Sequence, residues 1–254
     1  MQQIFNLFLL SMTLLAVVVF IVLQFVNVGY GRFYNRKWGK AVVNKIGWMI
    51  MEMPVFILMA MLWLLSDRVT DLVRIVFLLF FEIHYFHRSF IFPFRMRGKS
   101  AMAILVVVLA ITFNILNAAM QGGWIFFVSP ENYYTISWLW SPQFIAGTIL
   151  FFSGMIINQQ SDSIIRNLRK ENDTNHYLPT RGMFRYVSSA NYFGELVEWI
   201  GFAVLTWSWS GVVFVIWTFA NLAPRAAGIH ERYKRDFPEQ MAEKKVKRII
   251  PFVY

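Results

Sequence analysis

The chain has 254 residues, of which 57% are hydrophobic, and a mean hydropathy of +0.50, which excludes a soluble domain of ordinary composition. Its net charge of +10 lies between apolar runs, so the charge indicates membrane topology and anionic lipid rather than nucleic-acid binding. The absence of cysteine excludes disulfides, thiolate metal sites and a cysteine nucleophile.

Seven apolar runs predict an all-α, polytopic bundle of seven transmembrane helices. They cover about 5–28, 44–66, 70–92, 101–120, 142–160, 190–208 and 209–222. The first run has no positively charged n-region and no small-residue cleavage site, so residues 1–28 are expected to be a retained anchor helix. Short loops and the lack of an internal repeat predict one membrane-embedded domain over 1–254, ending in a cytoplasmic segment at 223–254.

Basic residues predict the orientation of the bundle. With the N-terminus outside, 22 of the 24 Lys and Arg residues fall in cytoplasmic loops or the tail, and only Arg68 and Arg74 fall outside. The segment 121–141 has no basic residue, as the positive-inside rule requires of a translocated loop. The N-terminus is therefore expected outside and the C-terminus in the cytoplasm.

Four acidic residues lie within the predicted membrane helices: Glu52, Glu82, Glu195 and Glu198. Carboxylates are costly in hydrocarbon and are usually functional there. The sequence offers no Lys or Arg at comparable depth to pair with them, so we expect a polar pocket inside the bundle.

Helical spacing groups the polar residues into three stripes that run toward the cytoplasmic end. The stripes are Glu82, Tyr85 and Arg88 in the third helix, Asn158, Asp162, Arg166 and Arg169 in the fifth, and Asn191, Glu195 and Glu198 in the sixth. Two simpler interpretations compete: His84 and His87 could belong to an aromatic interface belt, and the fifth-helix stripe could consist of solvated ion pairs. Carboxylates and amides suit hydroxyl and amide donors and arginines suit phosphate, so the stripes fit a nucleotide cofactor. The string "VGYGRF" lacks the third glycine of a Rossmann fingerprint, so side chains of the bundle would have to hold that cofactor.

Five segments resemble the steroid 5-alpha-reductase family: "MEMPVF", "HYFHRSF", "INQQSDSIIRNLRK", "YLPTRGMFRYVSSANYFGELVEWIGFA" and "RIIPFVY". The resemblance implies a seven-helix membrane enzyme that reduces the Δ4 double bond of 3-oxo-steroids with NADPH. It also implies a lipophilic steroid that enters from the bilayer, no metal ion, and a location in a bacterial inner membrane or the endoplasmic reticulum with the cofactor site facing the cytoplasm.

The resemblance also implies roles for individual residues. Glu52 and Tyr85 become the catalytic pair that holds the 3-keto oxygen. The implied cofactor-binding residues are Tyr30, Arg32, Arg88, Arg97, Lys99, Asn158, Asp162, Arg166, Arg169, Asn191, Glu195, Arg225, His230 and Tyr233. Glu198 and Trp199 would shape the pocket where the nicotinamide meets the substrate.

Other functions fit parts of the pattern. A membrane methyltransferase of the isoprenylcysteine or phospholipid type, using S-adenosylmethionine, would carry a similar basic C-terminal segment. A reductase of another lipid enone or enoyl substrate would use the same cofactor stripe. A proton-coupled transporter would explain buried acids, but it predicts an inverted repeat that the sequence does not show.

Overall fold

The computed structural model describes residues 1–26, 34, 36–97, 100–168 and 177–254, of which Lys244 is described without its side chain. The helices are α1 (Gln2–Phe25), α2 (Asn44–Leu64), α3 (Leu72–Phe86), α4 (Phe92–Arg95), α5 (Ile104–Gly122), α6 (Pro142–Asn167), α7 (Ala190–Thr206), α8 (Trp209–Asp236) and α9 (Pro238–Lys244). Two short strands, β1 (Ala41–Val43) and β2 (Ala101–Ala103), pair antiparallel at the beginning of α2 and α5.

The helices confirm the predicted all-α bundle with the composition of a membrane protein. Within the described ranges, five helical stretches are long and apolar enough to cross a membrane: Gln2–Phe25, Asn44–Leu64, Leu72–Arg95, Ile104–Val128 and Trp209–Asp236. A sixth is Glu131–Trp140 together with Pro142–Asn167, if this pair, bent by 71°, forms one span. Helix α7 has 17 residues, so the count of seven spans and the orientation of the termini stay predictions.

Two predicted boundaries are wrong, because hydropathy marks how far an apolar surface extends and not how far the backbone stays helical. Residues 101–103 form β2, and α5 begins only at Ile104. Helix α6 continues beyond the apolar run to Asn167, so Asn158, Asp162 and Arg166 are helical, as the predicted stripe requires. Helix α8 continues past Pro224 to Asp236 rather than ending near 222.

Helices α6 and α7 pack with their backbones in direct contact. A Cβ atom added to Gly154 would lie 2.2 Å from the Glu198 nitrogen, and one added to Gly194 would lie 2.4 Å from the Asn158 nitrogen. Only glycine allows such an approach, which is a common device between membrane helices. The contact sets the polar residues of α6 directly beside those of α7.

The segment after α5 is ordered and closes the end of the bundle that is predicted to face outward. It continues α5 as a π-helix over Gly123–Val128. Beyond it, the Tyr134 hydroxyl donates to the Thr206 carbonyl at 2.6 Å, and Trp138 Nε1 donates to the Leu205 carbonyl at 2.9 Å. These bonds satisfy carbonyls that the end of α7 leaves without helical partners.

Arg74 of α3 ties this segment to the bundle. Its side chain is 1% exposed and forms an ion pair and hydrogen bond with Asp71. It also donates to the carbonyls of Ile125 at 2.9 Å and Pro130 at 3.1 Å, and to the Ser129 hydroxyl at 3.2 Å. A buried arginine requires this degree of hydrogen bonding.

Candidate active site

Arg88 is the point at which the three predicted polar stripes meet. It lies in a π-helical turn, His87–Ile91, that continues α3 immediately after Tyr85 and Phe86. Its guanidinium nitrogens lie 3.6 Å from Asp162 Oδ2 of α6 and 3.9 Å from Glu195 Oε2 of α7. The expectation that no cation lies near the membrane acids is therefore wrong for Glu195. The guanidinium of Arg88 thus approaches an acid of α6 and an acid of α7 from the turn that extends α3.

Hydrogen bonds between α6 and α7 orient the acidic side of this cluster. Asn191 Nδ2 donates to Asp162 Oδ1 at 3.1 Å, and Asn158 Nδ2 donates to the Asn191 carbonyl at 2.9 Å. The second carboxylate oxygen of Asp162 is buried and has no hydrogen-bond donor among the described residues. Its 3.6 Å separation from Arg88 is longer than a hydrogen bond. Asp162 therefore retains an acceptor for a donor supplied by a ligand.

Tyr85 and Glu52 are both held by asparagines of α5. Asn117 Nδ2 donates to the Tyr85 hydroxyl at 2.9 Å, and Asn114 Nδ2 donates to Glu52 Oε2 at 3.2 Å. Tyr85 is 4% exposed and Asn117 is fully buried. Sequence analysis did not single out either asparagine, although their i,i+3 spacing in an apolar helix is a signal of a polar face.

Glu198 contacts a histidine inside the bundle. His84 Nδ1 lies 2.8 Å from Glu198 Oε1, and both side chains are buried. The interpretation of His84 as part of an interface belt is therefore wrong. The ring of Trp199 lies 4.5 Å from that of His84 and 5.8 Å from that of Tyr85 between centroids, so Trp199 supports the tyrosine through packing.

The basic residues assigned to the cofactor are spread more widely. Arg166 is half-buried and donates to Ser163 Oγ at 2.8 Å, one turn earlier in α6. Arg97 is exposed and Arg225 is half-buried in α8. The remaining candidates Tyr30, Arg32, Lys99 and Arg169 lie outside the described residues.

Two cavities lie apart from Tyr85. One, of about 400 Å³, is lined by basic side chains including His230, Lys234 and Arg248. The other, of about 440 Å³, is lined only by apolar residues of α1, α7 and α8, among them Phe20 and Ile200. His230 is buried with Nδ1 3.0 Å from Ser188 Oγ, and Tyr233 is buried one turn later in α8.

Glu82 is the fourth acid of the predicted membrane helices, and no hydrogen-bond partner among the described residues accounts for its burial. Both of its carboxylate oxygens are buried, and neither has a hydrogen-bond partner among the described residues. It lies one turn before Tyr85 in α3.

Comparison with known proteins gives consistent matches. The family model described as 3-oxo-5-alpha-steroid 4-dehydrogenase matches residues 100–254. Steroid 5-alpha-reductase DET2 of Arabidopsis thaliana is 37% identical over 92% of this chain and 90% of its own length. The 3-oxo-5-alpha-steroid 4-dehydrogenase 1 of Mus musculus is 39% identical over 94% of this chain and 92% of its own, and the protein of that name from Homo sapiens is 37% identical over 90% and 87%.

Proposed function

The chain belongs to the steroid 5-alpha-reductase (3-oxo-5-alpha-steroid 4-dehydrogenase) family, and from this membership we propose that it reduces the Δ4 double bond of a 3-oxo-Δ4-steroid with NADPH. Such an enzyme is an oxidoreductase that acts on a CH–CH group. The observation that carries the proposal is the buried Arg88 between Asp162 and Glu195, one helical turn from Tyr85. A charged cofactor site and a phenol donor are thus adjacent along one helix.

The residues around Arg88 fit a nicotinamide dinucleotide. Arg88 supplies positive charge for a phosphate, while Asn158, Asn191 and Glu195 supply amide and carboxylate groups for ribose hydroxyls or a carboxamide. The buried, undonated oxygen of Asp162 is the most specific support, because a buried acceptor without a donor is unfavourable until a ligand provides one. When bound, NADPH supplies the hydride for C5 of the steroid.

Tyr85 and Glu52 would act on the substrate carbonyl. Reduction of an enone at its β-carbon builds negative charge on the 3-keto oxygen, and an oriented phenol stabilises that charge by hydrogen bonding. The Tyr85 hydroxyl accepts a hydrogen bond from Asn117, which leaves its own proton free for the carbonyl. Glu52 would orient or protonate the phenol–carbonyl unit from α2.

The substrate would enter from the bilayer. The groove of about 440 Å³ between α1, α7 and α8 has only apolar lining, which suits a steroid skeleton more than a polar metabolite. We place the N-terminus outside and the cofactor site toward the cytoplasm, because the basic residues cluster in the loops and tail at one end of the predicted membrane helices, which the positive-inside rule assigns to the cytoplasm.

The experiment is to incubate purified protein with NADPH and testosterone or progesterone and to identify the product by mass spectrometry against 5α and 5β standards. We expect the 5α-dihydro steroid and matching NADPH oxidation. If no steroid product forms and the protein instead reduces an enoyl or polyprenol substrate, its substrate is another lipid. Methyl transfer from S-adenosylmethionine without NADPH oxidation would contradict the proposal.

A further inference from the structure

Helix α5 carries two buried asparagines, Asn114 and Asn117, that are 5% and 0% exposed. An amide in a membrane helix is costly unless its polar groups are used, and both residues use Nδ2 as a donor, whereas Asn117 Oδ1 is buried without a hydrogen-bond partner among the described residues. We propose that these two residues are positioning residues for the reaction: Asn114 fixes the Glu52 carboxylate, and Asn117 fixes the direction in which Tyr85 donates its proton. The inference rests on the proposed reduction and adds two residues to its machinery.

Asn114 hydrogen-bonds both to the backbone of α2 and to the side chain of Glu52 in that helix. Its Nδ2 atom donates to the Met51 carbonyl at 2.6 Å and to Glu52 Oε2 at 3.2 Å. Both protons of one amide nitrogen are thereby used on adjacent residues. The carboxylate of Glu52 is therefore held relative to its own backbone, which restricts the rotamers it can adopt.

Asn117 acts on the hydroxyl of Tyr85. A phenol has one proton, and its oxygen can accept a bond while donating another. Because the Asn117 amide donates to that oxygen at 2.9 Å, the phenol proton must point elsewhere. A bond donated to the oxygen also polarises the O–H group, which strengthens its donation to a carbonyl.

The spacing of the two asparagines explains why α5 is the helix that carries them. Residues three apart lie on one helix face, one turn from each other. Glu52 comes from α2 and Tyr85 from α3, so their relative position depends on how two separate helices pack. A third helix that hydrogen-bonds to both sets that position directly.

The test compares Asn117→Leu, Asn117→Asp and Asn114→Leu with wild type in steady-state NADPH oxidation. The matched control is Gln121→Leu, which removes another fully buried amide of α5 that donates instead to the Ser210 carbonyl at 2.9 Å. We expect Asn117→Leu and Asn114→Leu to lower kcat about tenfold, the scale of one lost hydrogen bond, with an unchanged KM for NADPH. Gln121→Leu should lower thermal stability and keep kcat near wild type.

The pH dependence of kcat in Asn117→Asp separates a positioning role from a purely structural one, because a purely structural role predicts no such dependence. An ionised carboxylate can only accept and would draw the phenol proton away from the substrate, whereas a protonated carboxyl can donate as the amide does. The ratio of its kcat to that of wild type should therefore rise as pH falls. This variant also decides the matter if Asn117→Leu fails to fold.

Two results would overturn the inference while leaving the proposed function intact. These are a wild-type kcat in both leucine variants, or a pH-independent wild-type kcat in Asn117→Asp, which would mean that the amide accepts from Tyr85. An equal loss of kcat in Gln121→Leu would also overturn it, because the losses in the asparagine variants would then reflect packing alone. An inactive wild type would instead contradict the proposed function.

Discussion

Helix α3 and its extension carry two buried arginines, and the two have opposite surroundings. Arg74 is satisfied within the chain by Asp71, two backbone carbonyls and a hydroxyl. Arg88 has acids at 3.6 and 3.9 Å, beyond hydrogen-bond distance, and one of these acids keeps an undonated oxygen. Arg74, with its hydrogen bonds made within the protein, stabilises the fold, whereas Arg88, beside an acid that keeps an oxygen without a donor, is the candidate for binding a ligand.

The largest expected effect is a loss of stability when Arg74 is replaced. Arg74→Met leaves Asp71 without its cation and the Ile125 carbonyl with only a 3.4 Å bond from the Ser129 hydroxyl, so unfolding should become easier by about 3–5 kcal/mol. The measurement is thermal melting in detergent micelles, with Arg185→Met as the control, because Arg185 is an exposed arginine outside this network. NADPH affinity of the folded fraction should stay near wild type. A melting temperature equal to wild type would show that the Arg74 hydrogen bonds contribute little.

At the Arg88 end the expected effect is on cofactor affinity. Asp162→Asn keeps the oxygen that accepts from Asn191 and removes the charge, so NADPH should bind about 10- to 100-fold more weakly, the scale of a lost hydrogen bond to a charged group. The melting temperature should hardly change. Glu82→Gln is the matched control, since Glu82 is another buried acid of the same bundle and neither of its carboxylate oxygens has a hydrogen-bond partner among the described residues. Equal affinities in wild type and Asp162→Asn, measured by fluorescence titration, would leave the cluster as a structural ion pair.

Glu198 tests whether an acid that contacts a side chain of the protein itself also contributes to NADPH affinity. A glutamine there can still hydrogen-bond to His84, so Glu198→Gln should change NADPH affinity by less than about threefold, or under 1 kcal/mol. A role as a cofactor ligand would instead produce a loss comparable to that of Asp162→Asn. Isothermal titration of both variants under the same conditions separates these outcomes.

The comparison also predicts that the two arginines lie at opposite faces of the membrane. Accessible tags inserted at residue 132 and after residue 254 should be labelled from opposite sides, because the first site lies beside the Arg74 network and the second follows the basic tail. Labelling from the same side would mean that an even number of spans, rather than the predicted three, lies between the two tags, most directly because α7, with 17 residues, does not cross.

Much of the proposed cofactor site could be predicted from sequence, because helical spacing places residues on faces whatever the tertiary packing. The i,i+4 pairs Asn158 with Asp162 and Asn191 with Glu195 do converge, and the glycines of α6 and α7 allow it. Spacing could not reveal which helix Arg88 would face, so its approach to Glu195 was missed.

The hydrogen bonds that hold Glu52 and Tyr85, the proposed catalytic pair, could not be predicted in the same way. Asn114 and Asn117 act on residues 62 and 32 positions away in sequence, and such contacts depend on how α2, α3 and α5 pack. The His84–Glu198 contact spans 114 positions, and the aromatic surroundings of His84 favoured an interface belt instead. The Arg74 network was missed because a loop without basic residues gives no sign of a buried arginine beneath it.

The central claim is that cofactor binding and carbonyl activation occupy neighbouring turns of α3 and its extension. It is tested most directly by single-turnover NADPH oxidation with a saturating 3-oxo-Δ4-steroid, together with NADPH affinity, in Tyr85→Phe and Glu52→Gln. Both changes nearly preserve side-chain volume and lie apart from the Arg88 cluster. Each should slow hydride transfer by roughly two to three orders of magnitude, the scale of a lost oxyanion donor, with NADPH affinity near wild type. Wild-type rates in both variants would remove the pair from catalysis, and loss of NADPH binding would assign them to the cofactor site.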